Sequence, residues 1–178
     1  VNGLVGSEMC IRDSYNTYSF FSLYANIDGF TYAEDDIPLD KRPEIDRWIL
    51  SELHTLIEKV DAQYDNYEPT KAARLISSFV IEDLSNWYVR LSRRRFWKGT
   101  YEADKIAAYQ TLYTCLVSVA KLMAPIAPFY ADRLYQDLDK TTTKEQYASV
   151  HLAYFPDADN GFVDTTLEEK MQRAQRIV

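Results

Sequence analysis

The sequence predicts an all-α fold, an up-and-down bundle of four or five helices with a short C-terminal appendage. Three observations carry that prediction. Apolar residues recur three and four apart over four long segments. Those segments are parted by short breaks holding Gly, Pro, Asn or Asp. The 178 residues are 47% apolar with only 5 Gly and 6 Pro, enough for one domain with a core and unlike a disordered or collagen-like chain.

The elements follow in order. Residues 3–14, GLVGSEMCIRDS, read as the in-frame translation of a transposon sequencing adapter over twelve codons. Residues 1–14 are set aside as non-native, and the natural segment is expected to start inside a gene at about Tyr15. Residues 15–27 then form a first helix, with Tyr15, Tyr18, Phe21 and Tyr24 at helical spacing and Asp28-Gly29 as its stop. Residues 31–42 are an acidic, Pro-containing loop. Pro43 opens a second helix over 44–64, with Ile45, Ile49, Leu53, Leu56 and Val60 on one stripe. Residues 66–69 break it. A third helix runs from Pro69 to Trp97, with Lys98-Gly99-Thr100 as its stop.

Asp104 opens a fourth helix that reaches Met123, where APIAPF removes two amide donors and forces a kink. A shorter helix resumes over 128–138. Residues 139–148 are a polar, Thr-rich linker, 149–155 a short extended piece, and Thr165 with Glu168 has capping-box spacing ahead of a last helix. That helix is expected to continue past Val178. The domain division is therefore 15–140 for the bundle and 141–178 for a linker and the start of a C-terminal region.

Charge narrows the function. The net charge of -7 opposes indiscriminate binding of nucleic acid, because the summed field repels phosphate. No apolar run approaches the ~18–20 residues that span a bilayer, so no membrane partner is expected. With Cys10 assigned to the adapter, Cys115 is the one natural cysteine, read as a packed structural thiol. The two histidines, His54 and His151, are far apart, and His54 amid Leu53 and Leu56 reads as structural. No His, Cys or carboxylate cluster has metal-ligand spacing, and no catalytic residue and no metal site is predicted.

Against that acidic background, residues 86–97, NWYVRLSRRRFW, crowd four arginines among aromatics. On a wheel at about 100° per residue, Ala72, Ile76, Phe79, Val80, Leu84, Trp87 and Leu91 form the core stripe of the third helix. Arg90 and Arg94 fall inside or at the margin of that stripe, Asn86, Arg93 and Trp97 at one edge, and Arg95 at the other. Two kinds of role compete. Arginines near a helix end snorkel, complement the helix dipole, or pair with buried acids such as Asp83 or Glu82. Guanidiniums beside flat rings also grip phosphate bidentately and stack on unpaired bases.

The same residues carry a resemblance. NWYVRLSRRRFWKG, the earlier run from EIDRWILSEL to VIEDLS, and DKIAAYQTLYTCLVSVAKLMAPIAPFYADRLYQDL resemble the anticodon-binding helical domain of isoleucyl-tRNA synthetase. That domain type is shared by the class I synthetases for Ile, Val, Leu, Met and Cys. YNTYSFFSLYANIDGF resembles its first helix, and SVHLAYFPDAD the entry to the C-terminal region. The resemblance covers residues 15–178. It implies a cytoplasmic, monomeric isoleucine–tRNA ligase as parent, using ATP with Mg, whose catalytic domain would be a partner of this one.

The family signatures H-I-G-H and K-M-S-K-S do not occur in this sequence, nor does a Gly-rich phosphate loop. The fragment is therefore expected to need no cofactor, to bind isoleucine tRNA by its anticodon stem-loop and to perform no chemistry alone. The resemblance places Asn86, Trp87, Arg90 and Arg94 on the RNA-facing helix end, with Asn16, Ser19 and Phe20 of the first helix facing the same groove. Arg93, Arg95 and Trp97 are second-rank candidates. Two alternatives stand: a helical protein-interaction scaffold without RNA binding, and the same domain of a valyl or leucyl enzyme.

Overall fold

Helices account for every long element among the described residues, and no strand occurs there. The structure is a computed structural model; it describes residues 2–98 and 100–177, with side chains from residue 10 onward except at position 98. The Gly99 stop of the third helix lies outside the described residues.

Helix α1 (Asn2–Asp28) starts earlier than the natural segment read from the sequence and runs unbroken through the residues set aside as adapter. Gly29 ends it at φ +69°, a conformation that glycine adopts without the Cβ penalty. Helix α2 (Glu44–Asp65) begins after Pro43 and ends where Tyr67 takes a positive φ of 56°. The third helix comprises α3 (Pro69–Ser78), a π-helical segment (Phe79–Val89) and α4 (Arg90–Lys98). Helix α5 (Ala103–Met123) follows, then α6 (Pro128–Thr142) and α7 (Thr165–Ile177).

Successive helices alternate in direction. Cys10 of α1 lines the same small cavity as Ile76, and Phe20 meets Phe96 at 5.1 Å, so α1 runs alongside the third helix in the same sense. Asp46 meets Arg95 while residues 66–69 make the tight turn, so α2 runs back against it. Tyr109 of α5 packs on Phe96, and the Cys10 thiol reaches the Met123 sulfur, so α5 is antiparallel to both α1 and the third helix. α5 is buried on nearly all sides. By length and composition it is long and apolar enough to cross a membrane, contrary to the expectation of no such run, and 78% of that window is spent inside the bundle.

The third helix departs from the wheel in an orderly way. Its fully buried side chains are Ala72, Ile76, Val80, Leu84, Tyr88, Ser92 and Phe96, each at most 1% exposed and each four residues from the last. In a pure α-helix an i+4 ladder drifts about 40° per step, roughly 240° over these six steps. A π-helical ladder takes about 4.4 residues per turn, turning about 18° less per residue, or roughly 200° over its 11 residues. The π segment therefore cancels most of the drift and keeps a four-residue stripe on the core. Trp87 is only partly buried and Leu91 is 54% exposed, so the predicted stripe fails after Leu84, and its substitutes are Tyr88 and Ser92.

Two smaller expectations change. The 149–155 piece is a 3-10 turn at Val150–Leu152 rather than an extended segment. The last helix is capped by Asp164, whose Oδ1 accepts from the Leu167 amide at 3.0 Å. Glu168 is absent from that cap because its carboxylate accepts from the Ser51 and Thr55 hydroxyls of α2, at 2.5 and 2.9 Å.

Candidate nucleic-acid interface

Phe96 seats α4 on the core. It is 1% exposed and packs edge-on against Phe20 at 5.1 Å and Tyr109 at 5.0 Å. At about 100° per residue, Arg93, Trp97, Arg90 and Arg94 lie roughly 60°, 100°, 120° and 160° from Phe96 on one side, and Arg95 about 100° away on the other. The arginines thus divide between two edges, and the expected placement of Arg90 and Arg94 inside or at the margin of the core stripe is reversed. The reason is the π segment, which the constant wheel step did not include.

Arg95 is on the inner edge. Its fork grips the fully buried Asp46 carboxylate with both terminal nitrogens, Nη1 to Oδ1 at 2.6 Å and Nη2 to Oδ2 at 2.8 Å. The Tyr88 hydroxyl donates to the same Oδ1 at 2.8 Å. Arg95 Nε and Nη2 reach the Asp104 carboxylate and carbonyl of α5, at 3.0 and 2.8 Å. Burial alone would lower the guanidinium pKa, but hydrogen bonds and charge from Asp46 override it and raise the value. Tyr88 is pushed well above an ordinary phenol by burial, then by the Asp46 charge. A buried arginine pair, one of the structural readings weighed for Arg90 with Asp83 or Glu82, exists instead at Arg95 with Asp46.

Arg90, Arg93 and Arg94 are all exposed. Among the described residues, none supplies them with an ion pair or hydrogen bond. Asn86 is exposed four residues before Arg90, and Trp97 is 59% exposed four residues after Arg93. Trp87 is four residues from both Asp83 and Leu91 and follows that other edge, where Asp83 meets Gln175 of α7 at 3.0 Å.

Helix α1 supplies the neighbouring wall. Phe20 is partly buried between Tyr24 and Phe96, at 4.9 and 5.1 Å, and serves the packing. Asn16, one turn before Phe20, and Ser19 beside it are exposed. Asn16 and Ser19 of α1 and Asn86, Arg90, Arg93, Arg94 and Trp97 of the third helix thus form an exposed set, with Phe20 partly buried where the two helices meet at Phe96. Trp87 and Arg95 fall outside that set. Sequence reasoning missed Asp46. The available signal was a carboxylate three residues before Ile49 and seven before Leu53, a core position on α2.

The remaining site expectations concern chemistry. Both cysteines are free and buried; burial pushes the Cys10 thiol up to about 12 and the Cys115 thiol higher. His54 stacks on Phe162 at 4.5 Å, and its Nδ1 accepts from the Asp159 amide at 3.0 Å. Among the described residues no three His, Cys, Asp or Glu side chains are placed to hold a metal ion.

Comparison with known proteins adds to this geometry. Residues 46–178 match the family described as the anticodon-binding domain of tRNA ligase. The chain is 64% identical over 163 residues to the isoleucine–tRNA ligase of Bacteroides fragilis and 66% identical over 163 residues to that of Porphyromonas gingivalis. It is 46% identical over 164 residues to the isoleucine–tRNA ligase of Thermus thermophilus. Each alignment covers 92% of this chain but only 14% of the first two proteins and 16% of the third.

Proposed function

The chain belongs to the anticodon-binding domain family of tRNA ligases, and from that premise we propose that the exposed set on α1 and the third helix binds the anticodon stem-loop of isoleucine tRNA. The observation that carries this reading is the set of three exposed guanidiniums, Arg90, Arg93 and Arg94, which are used by no described residue of an acidic chain. Leaving three like charges within five residues costs a few tenths of a kcal/mol per pair, ~0.2–0.5, and phosphate is the ligand that repays it. The exposed amides of Asn16 and Asn86 offer hydrogen bonds to base edges. Isoleucine is preferred over valine or leucine because the relatives carry that name at 46–66% identity.

The ATP- and Mg-dependent activation of isoleucine would belong to a cytoplasmic parent enzyme. This chain supplies no donor set for that chemistry: it has no Gly-rich phosphate loop, and among the described residues no metal-holding cluster. Its role in the parent is to hold the far end of the tRNA.

The scaffold reading draws support from one residue, since Arg95 does close a buried ion pair. Fluorescence anisotropy separates the two. The isoleucine tRNA anticodon stem-loop is expected to bind more tightly than a loop with a scrambled anticodon. Equal, feeble binding of both would favour the scaffold.

A further inference from the structure

We infer that Asp46 is a positioning residue for RNA binding: it sets the rotation of α4 through Arg95, and so decides which arginines face the RNA. The inference rests on the RNA-binding reading above. It starts from how little else holds α4. Ser92 and Phe96 are its only fully buried side chains among the described residues, and the Ser92 hydroxyl has no hydrogen-bond partner there. Apolar contact at Phe96 is non-directional, so it seats the helix without fixing its turn. Immediately upstream the backbone changes from a π-helical to an α-helical ladder between Val89 and Arg90. A π-helical stretch is a rare departure inside an α-helix, often found at functional sites.

The Asp46 carboxylate spans that junction. It takes the Tyr88 hydroxyl from one side and both Nη atoms of Arg95 from the other, seven residues and two turns apart. Asp46 is itself 0% exposed on α2, the helix packed across from the third one. A bidentate guanidinium–carboxylate pair is planar and directional, and the further bonds from Arg95 to Asp104 tie the same fork to α5. A one-residue slip of α4 would turn it by about 100°. Arg94 would then approach Asp46, and Arg90, Arg93 and Trp97 would rotate away from their exposed side. Arg95 thus acts on RNA only through geometry.

The test measures stem-loop affinity of the 178-residue chain by anisotropy, well below the melting temperature, for Asp46→Asn, Arg95→Ala, the double variant and Arg95→Lys. Positioning predicts that Asp46→Asn and Arg95→Ala each weaken binding about tenfold, and that the double variant is no worse than either, because one clamp is removed three ways. Arg95→Lys keeps an ion pair for folding but loses the fork, so it too should weaken binding, which preserves the test if Asp46→Asn does not fold. Direct contact between Arg95 and phosphate predicts the opposite for Asp46→Asn: the freed fork leaves affinity unchanged or tighter, which overturns the inference. Unchanged affinity in every one of these variants, with binding lost in Arg90→Ala, would make the pair structural only and would overturn the inference while sparing the RNA-binding reading. Failure of the unaltered chain to bind the stem-loop would overturn both.

Discussion

Arg95 and its neighbours Arg90, Arg93 and Arg94 sit within six residues of one helix, yet they live in different chemistry. Arg95 is bonded to both Asp46 and Asp104 with a side chain only 15% exposed. The other three are exposed and have no described partner. Composition does not distinguish them; the angle each makes with the core does. The lesson is that in a cluster of like residues the one turned towards a buried acid serves the fold, and the rest are available for a ligand.

The sharpest way to break this comparison is to exchange the fates of the two edges. Arg95→Ala leaves a fully buried Asp46 carboxylate without its cation, and removal of one partner of a buried pair costs about 3–5 kcal/mol. Urea denaturation should show that loss, whereas Arg90→Ala should stay within about 0.5 kcal/mol. Equal losses from both would erase the distinction between the edges.

The next effect tests the π-helical rotation that creates them. Leu84 is fully buried and Leu91 is 54% exposed. Leu84→Ala should destabilise by about 2–5 kcal/mol and Leu91→Ala by less than about 0.5 kcal/mol. A helix that followed the constant wheel would bury both, and similar melting midpoints for the two variants would restore that wheel.

A smaller effect comes from three partly buried carboxylates, which lack the cation that Asp46 has. Glu52, Asp83 and Glu168 meet where α2, the π segment and α7 join, and among the described residues none of them has an ion-pair partner. Burial first, then the charges of Asp83 and Glu168, pushes the Glu52 carboxyl up to about 7. Asp83 is raised too, chiefly by burial. A carboxyl whose folded value lies above its unfolded one holds its proton longer in the native state, so stability falls as pH rises from about 4.5 through 7. Glu52→Gln should therefore stabilise the chain at pH 8 relative to pH 5 by about 1 kcal/mol, less than the full shift because Glu52 is only partly buried. His54, lowered by burial, works in the reverse sense as pH falls, so variant and unaltered chain are to be compared at each pH. A pH-independent difference would remove Glu52 from this role.

Much of this was legible in the sequence. Helix order, the Pro43 and Pro69 starts and the kink at APIAPF follow from local rules that tertiary packing did not override. The arginine helix was found, and seven of the ten candidate positions on it and on α1 are exposed. What was not legible is rotational. A four-residue stripe from Ala72 to Phe96 was present in the letters, but Ser92 interrupts its apolar character, and the Tyr88 and Asp46 polar groups hid their burial behind a mutual bond. The wheel therefore sent Trp87 and Leu91 inward and drew Arg90 into the core. The capping-box reading of Glu168 failed for a similar reason, since a long-range hydroxyl pair on α2 outcompeted the local cap.

The most direct measurement is the salt dependence of stem-loop binding, taken for the unaltered chain and for the triple variant Arg90→Ala, Arg93→Ala, Arg94→Ala. Removing one arginine from a phosphate lowers the slope of log affinity against log salt by about 0.7–0.9. If the outer edge is the RNA-binding edge, the slope should fall by roughly two units or more while the melting midpoint holds. An unchanged slope and affinity in the triple variant would contradict it and return the exposed arginines to simple solvation.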